Sequence, residues 1–253
     1  MMPASSTADT PDANIDSAQW RGLTLEVVSI SAPGDRRHGN SDARLSAAAG
    51  GLLAVADGVS TLPGSAGAAQ RCLEYLAGEL RGAPVRDVAT LTRIIQHISG
   101  RIFAEGRARR SGLEAGACTL DGVALGADEV TIFHVGDGGV WLGGDGQMRA
   151  MTTPQRCRAP SQRDPGQSSI RLAEAVGARP MLKPFVVTAP LSTPGAVLIA
   201  SDGVVDVTKL AADPWFQGQG PVAAMAAVLE SLGADNHPDD MTVVAARWRA
   251  NDH

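Results

Sequence analysis

The chain has 253 residues, 44% of them hydrophobic, which is enough for one sizeable core and demands no division into two domains. A formal charge of −5 and the absence of any Lys/Arg cluster exclude nucleic acid or an anionic membrane as the main partner, since both need a positive footprint. Three scattered cysteines, Cys72, Cys118 and Cys157, exclude a disulfide framework or a Cys-x-x-Cys zinc site and point to a reducing cytoplasm.

Residues 1–20 are mostly small and polar and lack the basic start and apolar core of an export signal. They are expected to form a flexible tail ahead of a single domain over 21–250. No run of about eighteen apolar residues occurs, so no membrane span is expected. LTLEVVSI, from Leu23 to Ile30, predicts a strand ending before Pro33-Gly34, and a second strand is expected from Gly51 to Ala56. Ala69, Cys72, Leu73, Leu76 and Leu80 recur at helical spacing and predict a helix from Gly64 to Leu80; a second runs from about Val85 to Gly106. After Gly112, short apolar runs punctuated by Gly and Asp predict an antiparallel meander. Pro154, Pro160, Pro165 and Gly166 mark a polar flap from Pro154 to Ser169, with a short helix expected from Ile170 to Val176. Strands near Phe185 to Thr188 and Ala196 to Ala200, a helix from Pro221 to Leu232 and a last strand from Met241 to Trp248 complete the pattern. Runs of strands alternating with helix pairs, without regular βαβ units, predict sheets covered by helices.

Five Asp-Gly pairs punctuate the chain: Asp57-Gly58, Asp121-Gly122, Asp137-Gly138, Asp145-Gly146 and Asp202-Gly203. Taken singly, each reads as a hairpin turn that needs positive φ. Context separates them. Asp57, Asp137 and Asp202 each end a strong apolar run, LLAVADG, TIFHVGDG and VLIASDG, where a buried strand would meet solvent. Asp145 reads as an ordinary turn, and Asp121 sits inside a strand pattern. Asp239 and Asp240 precede the last predicted strand, and Asp42 precedes a short apolar stretch. Carboxylates converging from several strand ends repel one another unless cations lie between them, and Mg2+ or Mn2+ prefers such oxygen ligands. Glycine after the aspartate leaves room for a carbonyl or a water to approach a cation.

The order and spacing of R-x-x-N-x-D, V-A-D-G, V-G-D-G, A-S-D-G and D-D-M-T resembles the PPM, or type 2C, class of metal-dependent serine/threonine protein phosphatases, from about Leu23 to Trp248. The resemblance implies an α+β fold: a four-layer α-β-β-α sandwich of two largely antiparallel sheets flanked by helix pairs, with the metal site at one edge. It implies two Mn2+ or Mg2+ ions, with a third, weaker one in bacterial members. Asp57 resembles the aspartate that bridges both metals, with the Gly58 carbonyl as a further ligand. Asp202 and Asp239 resemble the ligands of the S-D-G and D-[ND]-x-T motifs, Asp42 the N-terminal acidic position, and Asp137 the aspartate of the third metal. Arg37 resembles the arginine that grips the phosphate during catalysis, its planar fork pairing two oxygens. Asp239 is preferred to Asp235 because it lies three residues before Thr242. The implied activity is hydrolysis of phosphoserine and phosphothreonine in proteins by a water activated between the metals. A phosphorylated protein is the expected partner, with no nucleic acid and no membrane, for a cytoplasmic monomer.

The chain departs from the family pattern at three places. Asp57-Gly58-Val59-Ser60-Thr61-Leu62 stands where Asp-Gly-x-Gly-Gly-His is common, so the histidine proposed as general acid is missing and that role falls to water or His38. Gly136-Asp137-Gly138-Gly139 replaces Gly-Asp-Ser-Arg, and Asn40-Ser41-Asp42 replaces Asn-Glu-Asp. These changes support an alternative: a catalytically silent phosphatase-like domain that binds a phosphoprotein or regulatory partner. Cys118 lacks a phosphate-cradling loop and reads as a buried structural thiol. His134 reads as a core or cross-strand residue.

Overall fold

The computed structural model of the chain describes residues 13–35, 39–81, 87–108, 116–144, 146–160, 168–235 and 237–251. Thirteen strands and four α-helices are formed among them. The first sheet has the order β1 (Asn14–Trp20), β2 (Leu23–Ala32), β13 (Met241–Ala250), β12 (Gly195–Ala200), β7 (Gly139–Gly143) and β8 (Met148–Ala150). The second has the order β11 (Phe185–Pro190), β6 (Glu129–Val135), β5 (Leu120–Leu125), β4 (Leu52–Ala56) and β3 (Ala43–Ala47). Every ladder in both sheets is antiparallel.

The alternation of side chains along each strand decides what faces what. Leu25 and Val27 of β2, Val197 and Ile199 of β12, and Leu53 and Val55 of β4 enter a core between the sheets. Their neighbours Val28, Ile30 and Leu198 face outward onto α4 (Val222–Ala234) and the short α3 (Val207–Ala211), meeting Met225, Leu229 and Leu210. On the other side Ala54, Leu120 and Phe133 face α1 (Ser65–Glu79) and α2 (Val88–Ala108), which contribute Cys72, Leu76, Ile95 and Ile98. The result is the expected four-layer α-β-β-α sandwich. Central strands such as LLAVA and GAVLIA are apolar at every position because both of their faces are covered.

Two expectations give way. Asn14–Trp20, expected as tail, is an edge strand paired with β2 from Asn14↔Ser29 to Trp20↔Leu23, and Trp20 is buried. The helix expected from Ile170 is instead the strand β10 (Ser168–Leu172), paired with β9 (Arg156–Pro160) through Leu172↔Arg156. Backbone pairing across the hairpin overrides the helix propensity of Leu172, Ala173 and Glu174. Residues 161–167 of the expected flap lie outside the described residues. No helix among the described residues is long and apolar enough to cross a membrane.

Candidate metal centre

Strand register gathers the aspartates at one rim. Ala43↔Ala56 brings Asp42, just before β3, beside Asp57, just after β4. Ala200 pairs with Val243 on one side and Gly139 on the other, so the segments carrying Asp202, Asp239 and Asp137 meet at the end of β12. Asp57, Gly58, Asp137, Asp202 and Asp239 line a single basin of about 860 Å³. The basin is walled by the turn from Val59 to Leu62 and by Ile170 to Ala175.

The carboxyls feel one another strongly. Burial, followed by the charges of Asp42 and Asp202, a hydrogen bond with Asp42 and the charge of Asp239, pushes the Asp57 carboxyl up to about 10. Burial pushes Asp42 up to about 6, with the Thr242 and Ser201 hydroxyls and Asp57 easing it and Asp240 adding to it. Asp202 is raised by burial and by Asp137 and Asp239, against the opposing effects of Asp57 and Arg156. Both oxygens of Asp42 are buried and lack a hydrogen bond of regular geometry, the close contact with Asp57 included. The nearby hydroxyls have further partners: Thr242 Oγ1 lies 2.7 Å from Ser31 Oγ, and Ser201 Oγ accepts from the Thr242 backbone at 2.9 Å, which leaves its O–H to donate. These hydroxyls soften the Asp42 charge without offsetting its burial.

An uncompensated buried carboxylate is costly, and an all-oxygen, desolvated, negative donor set suits a hard divalent cation. Among the described residues no three acidic, histidine or cysteine side chains converge on a single point. The fit therefore rests on the chemistry of the donors and on the orphaned Asp42 oxygens rather than on a closed cage.

Several supporting contacts escaped the sequence reading. Asp240, buried, accepts from the Gly34 backbone at 2.8 Å and from Ser41 at 2.7 Å, stapling the loop before Asp42 to the start of β13. Asn40 donates to Ser31 Oγ at 2.8 Å and accepts from the Asp42 backbone at 2.9 Å. Thr119 holds Asp57 from both sides: its hydroxyl accepts from Asp57 N at 3.0 Å and its own N–H donates to Asp57 O at 2.7 Å. Arg156, at the start of β9, donates from Nε to Asp137 at 2.9 Å and from a terminal nitrogen to Asp202 at 3.3 Å. Gly58 and Gly203 serve close packing instead of hairpin turns, whereas Gly146, with a φ of +83° and open space around it, has the backbone of the expected turn. A Cβ on Gly58 would lie 2.8 Å from Ser41 O, and one on Gly203 only 2.0 Å from Asp240 O. Neither glycine has positive φ.

Arg37 and His38, assigned to phosphate and proton handling, lie outside the described residues, as do Asp145 and Asn236. Asp235 ends α4, away from the basin residues, whereas Asp239 lines the basin. Cys118 is fully buried, and its hydrogen bond with Cys72 together with burial pushes the thiol well up, as expected of an inert structural cysteine. His134 is the cross-strand partner of Asp121. That pair has no sequence signature beyond its place in two adjacent strands.

Residues 38–242 match the protein family described as protein phosphatase 2C. No curated protein matches the chain. Among solved structures, the catalytic domain of the serine/threonine protein phosphatase PstP in complex with two manganese ions is 24% identical, with a TM-score of 0.70 over 90% of this chain and 99% of that one. PppA of Pseudomonas aeruginosa, described as a key regulatory component of the T6SS, is 21% identical, with a TM-score of 0.69 over 93% of this chain and 100% of that one. The serine/threonine phosphatase Stp1 of Staphylococcus aureus is 17% identical, with a TM-score of 0.70 over 90% and 96%. At these identities the likenesses establish the fold, and the family match, spanning most of the sequence and all four basin aspartates, establishes kinship: the chain belongs to the protein phosphatase 2C family.

Proposed function

We propose that the chain is an active metal-dependent protein phosphatase that hydrolyses phosphoserine and phosphothreonine in proteins, with Asp57, Asp202, Asp239 and the Gly58 carbonyl holding two Mn2+ or Mg2+ ions. Asp42 supports that pair, and Asp137 with Asp202 faces a third, weaker position. The observation that carries this reading is the buried carboxylate of Asp42, lacking a hydrogen bond of regular geometry, beside an Asp57 carboxyl pushed up to about 10. Bound divalent ions supply Lewis acidity and a water acidic enough to attack phosphorus near neutral pH. The chain's own residues do the rest. Thr119 fixes the Asp57 backbone on both its donor and acceptor sides. The Asp240 staple sets the approach of the loop from Gly34 to Ser41, which also carries Arg37, the residue we assign to grip phosphate. Basin walls that include Leu62 and Ile170, exposed by 38% and 68%, offer apolar surface to a peptide. Two buried free thiols, Cys72 and Cys118, fit a reducing cytoplasm.

The alternative of a silent phosphoprotein-binding domain draws on one observation. The turn after Asp57 closes through Leu62 N to Val59 O at 2.9 Å and holds no histidine in the basin wall. The test is hydrolysis of a phosphothreonine peptide by purified protein with Mn2+, with and without chelator. Turnover abolished by chelator supports the phosphatase; tight Mn2+ binding with no turnover supports the silent domain.

A further inference from the structure

Arg156 has no counterpart among the site residues assigned above, yet its guanidinium spans the two carboxylates on the outer side of the basin. Nε lies 2.9 Å from Asp137 Oδ2 and a terminal nitrogen 3.3 Å from Asp202 Oδ2. Its placement is built from the backbone outward. Gln155 N donates to Gly136 O at 2.7 Å while Gly136 N donates to Gln155 Oε1 at 2.9 Å, so the residue before Arg156 is clamped to the residue before Asp137. Ala173 N donates to Gln155 O at 2.8 Å, and Arg156 pairs in register with Leu172, so the base of the β9–β10 hairpin is tied to this clamp.

We propose that Arg156 is the resident cation of the Asp137–Asp202 pair, and that a divalent ion enters that position only by displacing it. Arg156 holds Oδ2 of both carboxylates, and a divalent ion seated on the same two oxygens would meet the guanidinium charge at contact distance and repel it. The Arg156 side chain is 44% exposed, so its ion pairs are weak enough to exchange with an incoming ion. Displacement frees the first residue of β9 from the basin rim. Occupancy of the outer position is thereby coupled to the hairpin that walls the basin. This inference rests on the metal-centre reading only in its choice of a divalent ion as the competitor.

The experiment is Mn2+ titration by calorimetry, with free Mn2+ counted by electron paramagnetic resonance, on wild type, Arg156→Met and Arg156→Met/Asp137→Asn. Unchanged circular dichroism and melting temperature certify that each variant is folded. Arg156→Met is expected to bind one more Mn2+, or to bind its weakest Mn2+ about tenfold more tightly, and Asp137→Asn is expected to remove that gain. In wild type, amide exchange in β9 is expected to quicken at the Mn2+ concentration that fills the weakest site. Identical titrations of wild type and Arg156→Met overturn the inference, whatever number of ions is bound. A wild type that binds no Mn2+, beside an Arg156→Met variant that gains one ion through Asp137, supports this inference and defeats the phosphatase reading.

Discussion

His134 and Asp121 meet across β5 and β6, Nδ1 to Oδ1 at 2.6 Å, in the layer between the two sheets and just behind the basin rim. His134 Nε2 faces the Thr153 carbonyl at 3.0 Å, which can only accept, so Nε2 carries a proton. Nδ1 and Asp121 then share a second one, and the pair acts as a unit. Gly138 makes room for it, since a Cβ there would lie 2.4 Å from Asp121 Oδ2. His134→Ala strands a buried carboxyl and is expected to cost about 3 kcal/mol, near the lower end for breaking a buried pair, as read by urea denaturation.

The same pair sets a pH dependence. Burial raises Asp121, and the Asp137 and Asp202 charges add to this against the opposing pull of His134. Burial alone would lower His134, but its bond and charge interaction with Asp121, the Thr153 carbonyl and the Asp137 charge together raise it. Both groups bind a proton more tightly folded than unfolded, so their contribution is full at low pH and declines as pH rises. For His134 the decline begins at its unfolded value of about 6.5 and ends above its raised folded value. Asp121→Asn is expected to flatten this part of a stability-versus-pH curve; an unchanged slope refutes the assignment.

The buried Asp57 carboxyl lowers the stability of the fold as pH rises. Its folded value of about 10 stands far above that of a free aspartate, about 3.9, so its contribution is present at low pH and lost as pH rises toward 10. Asp57→Asn is expected to melt higher than wild type in chelator at pH 8. With Mn2+ at about a hundred times its Kd, wild type gains about 2.7 kcal/mol, or roughly 5–10 °C, while Asp57→Asn gains little. Differential scanning calorimetry with and without Mn2+ checks both halves.

Asp240 carries two backbone donors on one buried carboxylate, so Asp240→Asn, which must turn an amide toward one of them, is expected to cost about 2 kcal/mol. Guanidinium denaturation measures the loss, and amide exchange at Gly34 and Ser41 localises it. Protection unchanged at both amides counts against the staple.

Two glycines give opposite signs for the same substitution. Gly203→Ala drives a Cβ to 2.0 Å from the Asp240 carbonyl and is expected to lower stability by more than about 2 kcal/mol. Gly78→Ala, inside α1 with open space around it, is expected to gain about 0.5–1 kcal/mol. Thermal melts of the two variants side by side decide the matter.

The fold was legible because its central strands are buried on both faces, so LLAVA and GAVLIA announce themselves without alternation and place Asp57 and Asp202 at their ends. Asn14–Trp20 was illegible for the converse reason. As an edge strand with only Trp20 buried, it owes its shape to pairing with β2 rather than to its own apolar content. Ile170 to Glu174 carries good helix formers, and only the facing strand β9 tells the chain otherwise. The aspartates were visible as residues after apolar runs, whereas Arg156 and the His134–Asp121 pair depend on register between segments 13 to 46 residues apart. No local pattern encodes that register.

β2 and β13, at opposite ends of the chain, run side by side from Leu23↔Ala250 to Ala32↔Met241. The loop leading to Asp42 and the segment bearing Asp239 become neighbours only through that seam. A nascent chain on the ribosome therefore carries every basin aspartate except Asp239 long before it can assemble the basin, and the emergence of the final strand closes it. Synthesis interrupted before Met241 leaves out the strand that seats the Asp239 segment beside β2 and β12, and the basin is complete only when the sandwich is.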